Sequence, residues 1–279
     1  MGEKRVARIF PRRTRATPTD ELAFTDEPGL FPPDVDEVHV SVTFTWDLPR
    51  AEELAKAWKS VAPVKIGGPA TGMRGEEFTP GMYLKGGYVI TSRGCPNNCW
   101  FCSVPKREGE LRELRVMGGW NILDDNLLAC SDHHILTVFW TLAEQDHPIE
   151  FTGGLEAARL KLWQAATLHG LKPKQLFFAY DTPDDYEPLV SAGHMLRHAG
   201  FTNKGHELRA YVLIGYPKDT FDAAEKRLHQ TLEAGFIPMA MLYRDKTGQT
   251  DKAWRKFQRL WARPAIICSQ RGGCNERTP

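Results

Sequence analysis

Long apolar runs are missing from this chain. None approaches the ~18–20 residues that a membrane span requires, and no secretory signal precedes a cleavage-like site, so a cytoplasmic protein without membrane association is expected. Net charge is also nearly absent, at +1, which removes any global pull toward nucleic acid or an anionic surface. Low-complexity tracts and internal repeats are lacking too. What remains is an ordinary globular composition, 42% hydrophobic and 25% charged over 279 residues, enough for one large domain with a small appendage. Cysteine is scarce: three of the six fall between positions 95 and 102, and the others are Cys130, Cys268 and Cys274. A chain of this length buries a core without staples, so clustered thiols point to metal ligation rather than to three disulfides.

The small net charge hides an uneven distribution. Lys4, Arg5, Arg8, Arg12, Arg13 and Arg15 crowd the N-terminus, and an acidic stretch follows from Asp20 to Glu37. Such a basic arm either touches a phosphate backbone or is strapped over its own domain by local ion pairs. Residues 1–37, rich in proline and charge, are expected to form an irregular strap. Residues 38–86 read as a small α/β appendage, about half of a doubly wound domain: a strand over Val38–Phe44, a helix over Pro49–Ser60 and a strand over Pro63–Ile66, stopped by Gly67 and Gly68.

From residue 87 to 243 a longer rhythm takes over. Apolar strand-like runs at Tyr88–Thr91, Trp120–Leu123, Ile149–Thr152, Gln175–Tyr180, Arg209–Ile214 and Phe236–Leu242 start about 30 residues apart, as parallel β/α units require. Helices are expected at Asp132–Gln145, Leu155–His169, Asp184–Ala199 and Phe221–Ala234. Six units against the eight of a closed barrel predict a partial (β/α)6 barrel with ligands at the carboxyl ends of its strands. Residues 244–279 read as a final helix and tail, with Trp254, Phe257, Leu260 and Trp261 on one stripe.

The most informative stretch is CPNNCWFC, residues 95–102. Its C-x3-C-x2-C spacing lets Cys95, Cys99 and Cys102 reach three corners of one [4Fe–4S] cube and leaves the fourth iron open. Zinc is the competing metal. It prefers four ligands, often in two pairs, and although Cys130, His133 or His134 could add a fourth, a second C-x-x-C pair is absent. Cys268 and Cys274 are too few to form a site alone.

On these residues the chain resembles the radical S-adenosylmethionine superfamily, whose hallmark is this motif on the loop after the first barrel strand. The resemblance implies that S-adenosylmethionine chelates the open iron and is split, with one electron from a reductant such as flavodoxin or ferredoxin, to a 5′-deoxyadenosyl radical that takes hydrogen from a substrate. It places Phe101 near the adenine. The ending NILDDN (121–126) is similar to that of cobalamin-domain and methylthiotransferase-like members, so Asp124 or Asp125 would meet the cofactor's ammonium group, while one of them caps the next helix. Asp181 would meet the ribose hydroxyls, with helix capping as its other reading. YVLIGYPKDT (211–220) resembles a family element in which Ile214 packs on the adenine and Gly215 leaves room for it; Lys218 and Asp219 replace the usual Gly and Glu. Gly153 and Gly154 suit a close ligand approach, and Glu156 and Arg159 are either contacts to the substrate or the cofactor carboxylate or an i, i+3 salt bridge. No D-x-H-x-x-G motif is present, so cobalamin is not expected. The substrate is left unidentified, with a small-molecule or nucleoside type expected. The alternatives are a nucleic-acid-modifying relative that uses the basic arm, and a non-catalytic iron–sulfur or zinc protein.

Overall fold

The computed structural model describes residues 4–74, 78–202, 206–245 and 247–261. The chain forms two compact units, Met1–Gly119 with Lys246–Gly248, and Trp120–Asp245 with Gln249–Pro279. No helix among the described residues is long and apolar enough to cross a membrane.

The first unit is built on a four-stranded parallel sheet with the order β2-β1-β3-β4: β1 (Val6–Ile9), β2 (Ala23–Phe24), β3 (Glu37–Ser41) and β4 (Val64–Gly67). The N-terminal segment expected to be an irregular strap therefore supplies a strand flanked by neighbours on both sides. Its Ala7, Ile9 and Phe10 are buried without alternating, as a central parallel strand allows. Helix α1 (Leu48–Trp58) has a proline in its first turn and buries Ala51, Leu54, Ala55 and Trp58, an i, i+3, i+4, i+7 stripe, against Val38, Val40 and Val42. Trp58 donates from its indole N–H to the Asp26 carbonyl at 3.0 Å. Three arm residues pair within the unit as a strap would, Lys4 with Glu37, Arg8 with Asp20 and Arg12 with Asp47. The unit continues through β5 (Tyr88–Val89), β6 (Ser92–Arg93), α2 (Val104–Glu108) and β7 (Arg112–Glu113), the last pairing antiparallel with β6. It thus extends past the boundary expected at residue 86 and contains the cysteine loop.

In the second unit β8 (Asn121–Ile122), β9 (Glu150–Leu155), β10 (Gln175–Tyr180), β11 (Leu208–Ile214) and β12 (Ile237–Leu242) lie side by side in sequence order, all parallel. The intervening helices are α3 (Asp132–Ala143), α4 (Leu162–Leu171), α5 (Tyr186–His198) and α6 (Phe221–Glu233). Strand β11 alternates strictly, burying Leu208, Ala210, Val212 and Ile214 on one face. Helix α4 starts seven residues later than its apolar pattern suggests, because Leu155 completes β9 and a 3-10 turn takes Ala157–Arg159. The final helix, α7 (Lys252–Trp261), buries Trp261 and packs Trp254 at a tilt on Phe221, with ring centroids 4.3 Å apart.

Candidate functional site

The cysteine loop leaves β6 and ends in α2. Gly94 opens it at φ +84°, and a Cβ there would come within 2.3 Å of the Glu110 carbonyl oxygen, so only glycine lets the two backbone segments approach. The Cys102 N–H donates to the Cys99 carbonyl at 3.0 Å, closing a turn, and the Val104 N–H points at Cys102 Sγ at 3.5 Å. Cys95, Cys99 and Cys102 are partly exposed, and no disulfide joins them or the buried Cys130. Phe101 is half-buried and packs edge-on against the exposed Trp100, 5.3 Å between centroids. Cys268 and Cys274 lie outside the described residues.

A buried carboxylate that sequence patterns did not single out braces this loop. Glu108, 2% exposed, accepts from Arg107 Nε at 2.9 Å and from Arg112 Nη2 at 3.0 Å, and Arg93 Nη1 lies 3.7 Å away. Arg93 precedes the loop, Arg107 and Glu108 close α2, and Arg112 sits on β7, so one carboxylate ties the three elements around the cysteines. Burial by itself would raise the Glu108 carboxyl, yet the arginines, Arg107 foremost, hold it below the usual carboxylate range.

The donor chemistry fits a cluster held by three thiolates: three cysteines in eight positions, none oxidised to a disulfide, with a backbone N–H aimed at one sulfur. As they stand, no three or more His, Cys, Asp or Glu residues among those described are grouped closely enough to hold a metal ion. Thiolates repel one another, so the metal itself would draw the sulfurs together.

The other sequence-predicted residues belong to the second unit. Asp124 is buried and Asp125 partly so, and neither caps α3: Ser131 does, its hydroxyl accepting from the His134 N–H at 3.2 Å. Gly153 packs on the β8 end, where a Cβ would fall 2.4 Å from the Asp124 carbonyl oxygen; the close neighbour is backbone. Glu156 accepts from Arg159 Nε and Asn126 Nδ2, both at 2.6 Å, so the i, i+3 salt bridge forms and is joined to the β8 loop.

Asp181 follows β10. The turn is capped by Asp185, whose Oδ2 accepts from the Asp181 and Thr182 N–H groups at 2.9 and 2.7 Å, so capping does not occupy the Asp181 carboxyl. Burial, reinforced by Asp185, pushes that carboxyl up to about 7, against a hydrogen bond from the Leu213 N–H and the charge of Arg227.

After β11, Asp219 organises the turn. Its Oδ2 accepts from the Gly215 N–H and from Arg227 Nη2, each at 2.8 Å, and its Oδ1 accepts from the Thr220 N–H at 3.0 Å. Lys218 takes φ +72°, a conformation that suits glycine. Ile214 shares the buried face of β11, whereas Gly215 lines a cavity of about 330 Å³ with Tyr216, Leu242, Tyr243, Asp251 and Trp254. A Cβ on Gly215, at φ +69°, would lie 2.7 Å from Leu242 Cδ1 and 3.0 Å from the Trp254 ring. The cavity sits at the carboxyl ends of β11 and β12, where ligands of parallel α/β sheets bind. Comparison with known proteins finds no family model that matches the chain and no curated relative.

Proposed function

We propose that this protein is a radical S-adenosylmethionine enzyme. The observation that carries the reading is the C-x3-C-x2-C loop, with Cys95, Cys99 and Cys102 outside any disulfide, its flanks tied together by three arginines on Glu108, and the Val104 N–H directed at Cys102 Sγ. These cysteines would hold a [4Fe–4S] cluster, which when bound supplies the electron that splits S-adenosylmethionine to a 5′-deoxyadenosyl radical. The remaining residues bind and orient. Phe101 offers an aromatic surface to the adenine, Asp124 or Asp125 a carboxylate to the ammonium, and Asp181 a hydrogen-bonding group to the ribose. Gly215 leaves backbone open to a cavity of nucleoside scale. The barrel belongs to the same proposal: strands β8 to β12 follow one another with no reversal of order, as a partial barrel requires and a doubly wound sheet does not.

Anaerobic reconstitution with iron and sulfide, reduction and an assay for 5′-deoxyadenosine test the reading. The expected protein is brown, carries about four irons per chain and forms 5′-deoxyadenosine; Cys99→Ala loses both iron and product. A colourless zinc protein, or cleavage that survives Cys99→Ala, would overturn it. A second reading, a nucleic-acid-modifying member of the same superfamily, is favoured by the exposed Arg13 and Arg15 of the N-terminal arm.

A further inference from the structure

The four-stranded sheet of the first unit reverses its winding at β1. The chain leaves β1 toward β2 on one side, then crosses to β3 on the other side and continues outward to β4. Connections leaving β1 and β3 therefore diverge, and in open parallel sheets the crevice between them, at the carboxyl ends, is where ligands bind. A crevice is present there. It measures about 30 Å³ and is walled by residues that follow β1 (Arg12, Thr14, Thr17) and by Ser41, which ends β3, with Thr43 and Phe44 after it.

Its chemistry selects an anion. Five hydroxyl side chains line it, those of Thr14, Thr17, Ser41, Thr43 and Tyr83, and the Thr14 N–H donates to Thr17 Oγ1 at 2.8 Å, fixing the loop that carries the first two. Asp47, the one acid that lines the crevice among the described residues, is already engaged by both Nε and Nη2 of Arg12, at 2.8 and 2.7 Å. On the same loop Arg13 and Arg15 are exposed and have no ion-pair partner among the described residues, unlike Lys4, Arg8 and Arg12. The volume admits a group of about one or two waters' size, such as the oxygens of a phosphate, and excludes a base or sugar. A ligand whose phosphate enters the crevice must leave its remaining bulk outside, across Arg13 and Arg15.

We propose that this crevice binds a backbone phosphate of a single-stranded nucleic acid, with Arg13 and Arg15 holding the adjacent phosphates. The proposal rests on the nucleic-acid reading of the substrate but not on the cluster, since phosphate contacts and radical chemistry use different residues. Phosphate esters also occur in free nucleotides; unpaired arginines outside a crevice too small for a nucleoside favour the polymer.

The test is fluorescence anisotropy of the full chain with labelled 20-nucleotide single-stranded DNA and RNA between 50 and 200 mM salt. Binding is expected to weaken with salt, and Arg13→Ala/Arg15→Ala is expected to raise Kd at least about tenfold and reduce the salt slope by roughly 1.4, two phosphates' worth. Lys56→Ala/Lys59→Ala removes the same charge from exposed positions at the far end of α1 and is expected to leave binding within about twofold. Ser41→Ala, one hydroxyl in the crevice, is expected to weaken binding without changing the salt slope. No binding at 50 mM salt, or equal losses in the two double variants, would overturn the site. Competition by millimolar AMP or inorganic phosphate equal, phosphate for phosphate, to that of unlabelled oligonucleotide would overturn the polymer assignment. Because apo protein suffices, failure here leaves the 5′-deoxyadenosine assay untouched.

Discussion

Arg227 donates to the Asp219 carboxylate at 2.8 Å while the two side chains are 6% and 1% exposed. The pair joins α6 to the turn after β11, since the same Arg227 nitrogen reaches the Leu213 carbonyl at 3.0 Å and Asp219 holds the Gly215 N–H. Removing one partner leaves the other charge buried and uncompensated. Asp219→Ala is therefore expected to cost about 3–5 kcal/mol, whereas Asp219→Leu with Arg227→Met is expected to cost much less than the sum of the two single changes. Urea denaturation of the three variants checks this, and additive losses would show that the charges do not depend on each other.

The neighbouring Lys218 is strained rather than stabilising. At φ +72° a lysine pays the left-handed penalty that glycine avoids. Lys218→Gly is expected to stabilise the second unit by about 0.5–1 kcal/mol, after the larger entropy that glycine loses on folding. A melting temperature that falls instead would mean that the lysine side chain contributes more than its backbone costs.

Much of this geometry was legible beforehand and some was not. The second unit's strands and α3, α5 and α6 follow from strict periodicities such as the alternation of Leu208, Ala210, Val212 and Ile214, because each element buries one face. Strand β1 escaped notice: Val6–Ile9 is short, lies among arginines and does not alternate, since it is covered on both faces and its partners are distant in sequence. Glu108 escaped because a Glu among Arg107 and Arg112 reads as a solvated charge run, and only the pairing of β6 with β7 encloses it. The capping roles offered for Asp124, Asp125 and Asp181 went to Ser131 and Asp185, because 3-10 turns displace the helix starts. Gly153 was read as an opening for a ligand, whereas the backbone of Leu123 and Asp124, just after β8, fills that space.

Asp181 gives the protein a pH dependence of defined sign. Its carboxyl is raised by burial to about 7 in the folded chain, against 3.8 as the ordinary value. Between those two values the folded state holds a proton that the unfolded state has lost, so stability falls as pH rises from about 4 to about 7 and then levels off. Asp181→Asn removes this contribution. The variant is expected to match the parent near pH 4 and to exceed it at pH 8 by at least about 1 kcal/mol, roughly 2–4 °C in melting temperature. Equal melting curves across that range would show that Asp181 is ionised at neutral pH in the folded chain.

Glu108 links the stability of the first unit to the cysteine loop. Its carboxylate is shared by Arg93, Arg107 and Arg112, and it sits 2% exposed between them. Glu108→Gln keeps the shape and removes the buried charge that the three guanidiniums share. Stability is expected to drop by about 3–5 kcal/mol. Iron retained after anaerobic reconstitution is expected to fall too, because the chain segments entering and leaving the cysteines lose their common anchor. Arg115→Ala, which removes an exposed charge just beyond β7, serves as the control and should leave both quantities unchanged. A Glu108→Gln protein that unfolds earlier yet loads iron like the parent would separate the two roles, and would place the ordering of the loop in its own turn, from Gly94 to the Cys102–Cys99 hydrogen bond, rather than in the arginine cluster.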